Sequence, residues 1–482
     1  MLFNSLEFLI FFPIVTLLYF ALPHKYRWFH LLIASCIFYS FFIPYYILIL
    51  FFTIIIDYFA GIWIEKSHGK HRKWALIMSL VANIGVLAVF KYYNFFIDNF
   101  NTVLYKINPE KLLPYWDIIL PIGLSFHTFQ AMSYTIEVYR GNQKAERHFG
   151  IYALYVMFYP QLVAGPIERP QNVLYQFYEK HNFDYKLVVS GLRLMLWGMF
   201  KKVVIADRLA KFVNMVYNNP TDYHGLPLII ATIFFTFQIY CDFSGYSDIA
   251  LGSARVMGFK LMKNFDRPYL SKSISEFWRR WHISLSTWFR DYLYIPLGGN
   301  RVSRIRQYFN RFIVFMVSGL WHGANWHYVI WGALHGFYLI IGQITEKFQK
   351  KITGIGNGSL SHAKFWQKVI HGTITFVLVA FAWIFFRANT NADAIYITRN
   401  IFKPASHSLD QIIYMIGKND LYLIIISFII MEVVQWLQRG KNLSAWIDAK
   451  PRWQRWGAYY LILFLILCYG VYNNSQFIYF QF

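Results

Sequence analysis

Charge is scarce in this sequence. Of its 482 residues only 15% are Asp, Glu, Lys or Arg, whereas 57% are hydrophobic and 21% are aromatic. A soluble domain carries about 25% charged residues, and a chain this apolar could not cover its surface with polar side chains in water. The composition therefore excludes an ordinary soluble protein and indicates an integral membrane protein.

Acidic residues are the scarcest of the charged ones. The 46 Lys and Arg residues outnumber the 24 Asp and Glu residues, which gives a formal net charge of +22. In a soluble protein that excess would suggest nucleic acid. Here the basic residues mostly flank apolar runs, as they do in cytoplasmic loops under the positive-inside rule. We therefore expect membrane lipid around the chain and no nucleic-acid partner.

Cysteine is nearly absent, and several common motifs are missing. Cys36, Cys241 and Cys468 lie inside apolar segments without CxxC spacing, so neither a disulfide framework nor a metal site is predicted. The sequence has no Gly-x-Ser-x-Gly elbow, P-loop or dinucleotide fingerprint. The first residues carry no basic stretch and no small-residue cleavage site, so we expect the first apolar run to be a retained span.

Long apolar runs recur along the chain. A transmembrane helix needs about 20 such residues. The clear candidates are Leu6–Leu22, Trp28–Phe42, Tyr45–Ile64, Trp74–Tyr93, Ile118–Val138, Val369–Phe386, Leu421–Trp436 and Ala458–Val471. We predict an all-α polytopic membrane protein, a single domain over residues 1–482, with about 11 spans plus broken or re-entrant helices.

The middle of the chain does not form clean spans. Ile151–Ile167 is broken by prolines, and Leu226–Tyr240 leads into the polar stretch Cys241–Asp248, where we expect an interrupted helix. Irregular backbone at membrane depth is tolerated only where protein or a water-filled cavity surrounds it.

The apolar run Phe312–Ile344 is too short for two full crossings of about 20 residues each. Arginines precede it, lysines follow it at residues 347, 350 and 351, and the break is expected at Gly323–Asn325. It follows either a bent path with both ends on one side or a single broken crossing.

Five ordered blocks between about residues 118 and 336 carry a resemblance. They are Leu120–Phe126, Pro160–Ile167, Tyr240–Asp248, Phe277–His282 and Trp321–Gly323. Together they resemble the membrane-bound O-acyltransferase family, and within it the bacterial members that O-acetylate alginate, peptidoglycan and cellulose. The resemblance implies the fold of that family, with helices around a central tunnel.

Two histidines are the candidate catalytic residues. A neutral imidazole can take a proton from a hydroxyl and return it, as acyl transfer requires. From chemistry alone, His322 could instead cap a broken helix, and His282 could lie on an amphipathic interfacial helix. The resemblance implies that His322, in the Trp-His-Gly triplet, is the catalytic residue and that His282 lies beside it and is needed for activity.

Other polar residues of the same stretch are candidates for substrate binding. Arg279, Arg280 and Arg290 could hold a phosphate of the acyl donor, since guanidinium groups match phosphate geometry; interface anchoring or internal ion pairing is the alternative. Trp321 and Asn325 flank His322 and could contact substrate.

Other histidines and two aspartates receive structural interpretations. His335 follows His322 by about 20 Å of rise if the helix is unbroken, so we expect packing or hydrogen bonding there. We expect His327 to face water or a neighbouring helix and His127 to be a packing or cavity residue. Asp242 and Asp248 could form an acid–base pair, but we expect them to fix a turn and to pair with an arginine.

We predict an O-acyltransferase that moves an acyl group, with acetyl preferred, from a cytoplasmic thioester to a hydroxyl. The donor would be acetyl-CoA or an acyl carrier thioester, with no bound cofactor. The resemblance implies a bacterial cytoplasmic (inner) membrane location, an extracytoplasmic partner protein and an exported polysaccharide as acceptor. One alternative is D-alanylation of teichoic acid from a carrier protein. Another is a transporter or flippase, which would show an internal repeat that this sequence lacks.

Overall fold

The computed structural model describes residues 1–163, 165–346, 364–439, 443–472 and 477–478. These residues form helices and connecting segments without a β-strand, which confirms the all-α prediction. They group into two compact units, one from Met1–Met195 with Ile249–Met262, the other from Leu196–Asp248 with Lys263–Ile478. The single domain over residues 1–482 stays a prediction.

The first half of the chain is built from short and medium helices. They are α1 (Leu6–Ala21), α2 (His24–Ser40), α3 (Ile47–Lys66), α4 (Gly69–Leu87), α5 (Tyr93–Ile107), α6 (Leu124–Arg140), α7 (Phe149–Met157), α8 (Tyr159–Leu162), α9 (Pro170–Val173) and α10 (Tyr185–Met199). A wider helical turn at Ala88–Tyr92 joins α4 to α5 without a break.

The second half contains the longer helices. They are α11 (Asp207–Asn218), α12 (Leu226–Val256), α13 (Ile274–Arg280), α14 (Ile283–Phe289), α15 (Arg304–His322), α16 (Trp326–Ile344), α17 (Phe365–Arg387), α18 (Asn391–Asn400), α19 (Leu409–Ile416), α20 (Lys418–Leu437), α21 (Leu443–Asp448) and α22 (Arg452–Tyr469). A wider turn at Phe200–Ala206 joins α10 to α11.

Several helices are long and apolar enough to cross a membrane. In the described part of the chain there are 5 such stretches: Pro44–Lys66, Gly69–Ile107, Leu226–Val256, Phe365–Arg387 and Lys418–Leu437. The chain is therefore a multi-pass membrane protein. The larger number of about 11 spans, which rests on the length of apolar runs, stays a prediction.

Two predicted boundaries are wrong. The span expected from Ile118 begins only at Leu124, because Pro121 cannot donate a backbone hydrogen bond and Gly123 has a left-handed φ of 77°. The interruption expected at Cys241–Asp248 is absent, since α12 is a continuous helix of 31 residues. Its aspartates are accommodated by ion pairs, not by unwinding.

Those ion pairs are made with lysines of the turn between α10 and α11, not with an arginine as expected. Lys202 lies 2.8 Å from Asp242 and 2.9 Å from Asp207, and Lys201 lies 2.7 Å from Asp248. A buried carboxylate is costly unless a countercharge faces it. Because the lysines supply that charge, α12 keeps its hydrogen bonds through the polar stretch.

In the first unit, α3, α4 and α6 are joined by buried polar contacts. Ser79 Oγ and Asn83 Nδ2 donate to the Asp57 carboxylate at 2.6 and 2.8 Å. His127, expected to be a packing or cavity residue, is buried in α6 with Nε2 2.6 Å from Thr53 Oγ1. These hydrogen bonds give the buried polar side chains the partners that hydrocarbon could not supply.

The break predicted in Ile151–Ile167 is confirmed. Helix α7 ends at Met157, Phe158 leaves the helical conformation with ψ 112°, and α8 begins at Tyr159 with Pro160 in its first turn. Pro160 has no N–H to bond the carbonyl of Val156, and its ring would clash with that carbonyl, so α7 cannot continue through it. Residue 164 of this motif lies outside the described residues.

Helices α15 and α16 form an antiparallel hairpin. Helix α15 starts at Arg304, before the apolar run, and ends at His322, where Gly323 is extended. A Cβ on Gly319 would meet the carbonyl of Tyr328, and one on Gly332 would meet that of Phe315. These crossings confirm the predicted break, and they favour the bent path in which both ends lie on one side. The lysines expected to flank its far end, at residues 347, 350 and 351, lie outside the described residues.

Candidate active site

His322 lies at the end of α15, enclosed by aromatic rings. Its imidazole centroid is 4.9 Å from that of Trp321, 5.0 Å from Trp331 on α16 and 5.2 Å from Phe386 on α17. All three contacts are edge-to-face, and His322 is only 4% exposed. The hairpin thus holds the ring in one orientation inside an apolar pocket.

His282 lies in the turn between α13 and α14 and is fully buried. Its ring packs edge-to-face on Phe243 at 4.7 Å, and its Nδ1 is 3.1 Å from Asn264 Oδ1. Burial lowers the pKa of the His282 imidazole well below its usual value. The ring is therefore neutral at physiological pH, as a proton acceptor must be.

Trp321 brings the two histidines together. Its ring lies 4.9 Å from His322 and 6.4 Å from His282, centroid to centroid. The predicted substrate-binding residue Trp321 is itself buried. The two candidate catalytic rings therefore share a contact with one buried indole.

The other two histidines of this stretch are structural, as expected. Trp278 Nε1 donates to His335 Nδ1 at 3.3 Å, and His327 Nδ1 lies 3.0 Å from the carbonyl oxygen of Phe385 on the neighbouring helix α17. The distance argument for His335 was wrong, however. Because the hairpin doubles back, Trp331 contacts both His322 at 5.0 Å and His335 at 5.1 Å.

A cleft of about 1250 Å³ opens beside the hairpin. Its basic lining residues are Lys272, Arg279, Arg280, Arg290 and Arg311. Much of the remaining lining is apolar and includes Trp278, Phe289, Val314 and Phe315. The cleft can therefore hold a ligand with an apolar part and an anionic part.

The three predicted phosphate-binding arginines all line this cleft. Arg280 pairs with Glu276 at 2.6 Å and Arg290 with Asp291 at 2.8 Å. Arg279 instead donates to the hydroxyl of Ser275 at 3.1 Å. Among the described residues, its positive charge is thus the one of the three that no carboxylate within bonding distance offsets.

Neither candidate catalytic histidine is among the lining residues of the cleft. The cleft reaches Ser318, one helical turn before His322, and Trp278, whose ring lies 5.7 Å from Trp331. Ring contacts of Trp331 with Trp278 and with His322 thus connect the wall of the cleft to the His322 imidazole. The tunnel past both histidines stays a prediction.

Asn325 is not brought to the cleft either. It is the N-cap residue of α16, and its Oδ1 accepts from the Trp326 N–H at 3.1 Å. Capping of the second hairpin helix is the role that the geometry shows for it. No role in substrate binding is visible there.

Two features of the site were missed by sequence reasoning. One is Asn264, which contacts His282; nothing in its local sequence marks it. The other is the pair Lys201 and Lys202, whose adjacent charges inside an apolar segment could have indicated partners for Asp242 and Asp248.

Comparison with known proteins agrees with this architecture. The family model of the membrane-bound O-acyltransferases (MBOAT) matches residues 147–382. The chain is 40% identical over 395 residues to the probable alginate O-acetylase AlgI of Pseudomonas aeruginosa, covering 80% of this chain and 72% of that protein.

The chain belongs to the membrane-bound O-acyltransferase family. A peptidoglycan O-acetyltransferase of Helicobacter pylori is 36% identical over 398 residues, covering 77% of this chain and 73% of that protein. A teichoic acid D-alanyltransferase of Streptococcus thermophilus is 31% identical over 287 residues, with coverages of 56% and 69%. This MBOAT protein is therefore an O-acyltransferase, and the transporter interpretation is set aside.

Proposed function

We propose that this MBOAT protein transfers an acetyl group from a cytoplasmic thioester to a hydroxyl of an exported polysaccharide, in the bacterial cytoplasmic membrane. The acceptor is reached directly or through an extracytoplasmic partner protein. The names of the relatives, an alginate O-acetylase and a peptidoglycan O-acetyltransferase, support acetyl as the group and a glycan as the acceptor.

The observation that carries the proposal is that two buried histidines both contact the ring of Trp321. His322 is the general base in this scheme. An unprotonated nitrogen of its neutral ring takes the proton of the acceptor hydroxyl as the oxygen attacks the thioester carbonyl. The C–S bond then breaks, and the imidazolium returns the proton to the leaving thiolate. The thiol and the O-acyl ester are the products, and the enzyme regains its starting protonation.

The enclosure of His322 favours this chemistry for a physical reason. Trp331 and Phe386 exclude water from the ring, so a thioester beside it would be protected from hydrolysis. His282, neutral and buried, would orient one reactant or relay a proton. The two roles differ in that only His322 needs to bond the reacting oxygen.

The basic cleft is the proposed entrance of the donor. CoA and the phosphopantetheine arm of a carrier protein share an anionic phosphate and a long thin chain that ends in the thioester. Arg279 and its neighbours would bind the phosphate. The apolar lining would take the chain toward Ser318 and the end of α15.

The test is substitution of His322 in cells that make the polymer. His322→Ala and His322→Gln are expected to lower the O-acetyl content of the surface glycan by at least about 100-fold, as for a lost general base. Alkali-released acetate is measured by mass spectrometry at equal amounts of protein in the membrane. The control is His71→Ala, at an exposed position. Acetate release that His322→Ala leaves at the wild-type level would refute the assignment.

D-alanyl transfer is the second candidate, because a teichoic acid D-alanyltransferase is 31% identical over 56% of the chain. Both reactions join an acyl carbon to a hydroxyl and need the same base. The released group distinguishes them: D-alanine in place of acetate, lost in His322→Ala, would establish the second candidate.

A further inference from the structure

Asn264 lies in the segment that precedes α13 and is 1% exposed. Its side-chain Oδ1 is 3.1 Å from His282 Nδ1, 3.0 Å from Ser284 Oγ and 3.3 Å from the Ser284 backbone nitrogen. Its backbone oxygen accepts from Ile283 N at 2.9 Å. One asparagine therefore bonds to each of the three consecutive residues that form the turn carrying His282.

The atom that faces His282 is identified by its neighbour Ser284. A backbone N–H can only donate, so the Asn264 atom in front of Ser284 N must be the carbonyl oxygen and not the amide nitrogen. An amide oxygen can only accept. His282 Nδ1 must then carry the hydrogen of its contact with Asn264, and the neutral ring keeps its lone pair on Nε2.

The hydroxyl of Ser284 leads to the same tautomer. It donates its hydrogen to Asn264 Oδ1 at 3.0 Å, and its oxygen lies 3.5 Å from His282 Nδ1. A hydroxyl whose hydrogen is used elsewhere presents a lone pair to the ring. Both groups beside Nδ1 are thus acceptors, which favours a hydrogen on that nitrogen.

The backbone of His282 needs the same support. Its φ of 41° and ψ of 56° are left-handed, a conformation that is unfavourable for a residue with a side chain. The bonds from Asn264 to Ile283 and Ser284 hold the turn in this conformation. The side chain and the backbone carbonyl of Asn264 therefore position both the ring and the backbone of His282.

We propose that Asn264 is a positioning residue for acyl transfer. It keeps His282 in the tautomer with hydrogen on Nδ1 and leaves Nε2 as the nitrogen that accepts a hydrogen bond or a proton during the reaction. Asn264 acts through His282 and not on the substrate. The inference rests on the role proposed above for His282.

The experiment combines spectroscopy with acetyl content. The full chain, labelled with ¹⁵N-histidine and held in lipid nanodiscs, is compared by NMR with His282→Gln, which identifies the His282 signals. The wild-type protein is expected to show hydrogen on Nδ1. Asn264→Asp, which keeps an acceptor at the same place, is expected to retain that tautomer, whereas Asn264→Leu is expected to lose it.

Acetyl content of the surface glycan should follow the tautomer. Asn264→Leu is expected to lower it roughly 10- to 100-fold, the range for lost support of a functional imidazole, and Asn264→Asp to restore most of it. Asn310→Ala is the matched control, since Asn310 is also fully buried and its amide nitrogen donates to a loop carbonyl, that of Leu297 at 2.9 Å. It should change neither readout.

Each contrary outcome is decisive. A wild-type spectrum with hydrogen on Nε2 overturns the inference even if Asn264→Leu does not accumulate. Wild-type acetyl content in Asn264→Leu would also overturn it. So would an Asn264→Asp variant as inactive as Asn264→Leu, or a change of tautomer in Asn310→Ala. Failure of the underlying role of His282 looks different: His282→Gln itself would then keep wild-type acetyl content.

Discussion

His322 and Trp331 meet edge to face across the α15–α16 hairpin, with ring centroids 5.0 Å apart and planes at 89°. They can do so because the two helices approach to backbone contact. At the crossing, glycines Gly319 and Gly332 leave no side chain between the helices. The position of the candidate base thus depends on residues that never touch a substrate.

Gly332→Ala should therefore impair the enzyme without touching the site. The new Cβ would lie 2.2 Å from the carbonyl oxygen of Phe315, a backbone atom that cannot rotate away. We expect the helices to separate, at a cost of roughly 1–3 kcal/mol, and acetyl content to fall because Trp331 no longer packs on His322. Thermal unfolding in detergent and alkali-released acetate measure the two effects.

The control for this change is Gly457→Ala, in α22, where an added Cβ meets nothing within 4 Å. Alanine there should be neutral or slightly stabilising, since it favours the helix. Equal stability and activity of Gly332→Ala and Gly457→Ala would show that the close hairpin crossing is not needed.

Lys202→Met should destabilise the fold strongly. The ammonium lies 2.9 Å from Asp207 and 2.8 Å from Asp242, with the lysine only 1% exposed. Removing it leaves two buried carboxylates without that cation, which costs about 3–5 kcal/mol. The triple variant that combines Lys202→Met with Asp207→Asn and Asp242→Asn should recover much of the lost stability, because it removes the carboxylate charges that the lysine compensates. The midpoint of thermal unfolding is the measurement.

Lys211→Met serves for comparison. This lysine is 52% exposed and pairs with Asp420 at 3.3 Å, and such a surface pair contributes less than about 1 kcal/mol. If Lys202→Met is no more destabilising than Lys211→Met, the buried ion pairs do not hold α12 as described.

Arg279→Gln should weaken donor binding more than turnover. Its guanidinium lines the cleft and bonds to the Ser275 hydroxyl, so its charge remains available to a phosphate. We expect KM for acetyl-CoA to rise roughly 10-fold, equivalent to about 1.4 kcal/mol, with kcat changed little. Donor hydrolysis or transfer by purified protein in nanodiscs measures both constants.

Arg306→Gln is the matched change outside the cleft, at an exposed residue near the start of α15. It should leave KM unaltered. A KM that rises equally in Arg279→Gln and Arg306→Gln would point to general electrostatic attraction and would argue against a phosphate site in the cleft.

His282→Gln should change how stability depends on pH. Burial lowers the pKa of His282 to about 3, while an unfolded chain titrates near 6.5. The unfolded state therefore binds a proton that the folded state excludes, so stability falls as pH drops below about 6.5, by about 1.4 kcal/mol at pH 5.5. Glutamine cannot titrate, so the fall in Tm from pH 7.5 to 5.5 should be smaller than in the wild type.

His71→Gln, at an exposed position, should keep the wild-type pH dependence. A decline in Tm that is identical in His282→Gln and the wild type would mean that His282 is not buried as a neutral ring.

Local sequence predicted the parts of the fold that depend on neighbours along the chain. Gly323–Asn325 ends one helix and caps the next, and Pro160 separates α7 from α8; both breaks follow from backbone geometry. Prediction from local sequence failed at Cys241–Asp248, where the polar residues indicated an interrupted helix. The lysines that keep α12 helical come from another segment, and no periodicity within α12 indicates them.

The sequence by itself determined that this is an apolar, basic, all-helical membrane protein, and its ordered motifs identified the family and indicated two candidate histidines. Only the tertiary structure decided that Trp321 contacts both His282 and His322, that Trp331 contacts both His322 and His335, and that Asn264 bonds to His282. Burial and hydrogen bonding act through space, between side chains whose separation along the chain says nothing about their distance. The apolar pattern shows which segments are removed from water, but the contacts of a buried polar group depend on how those segments pack.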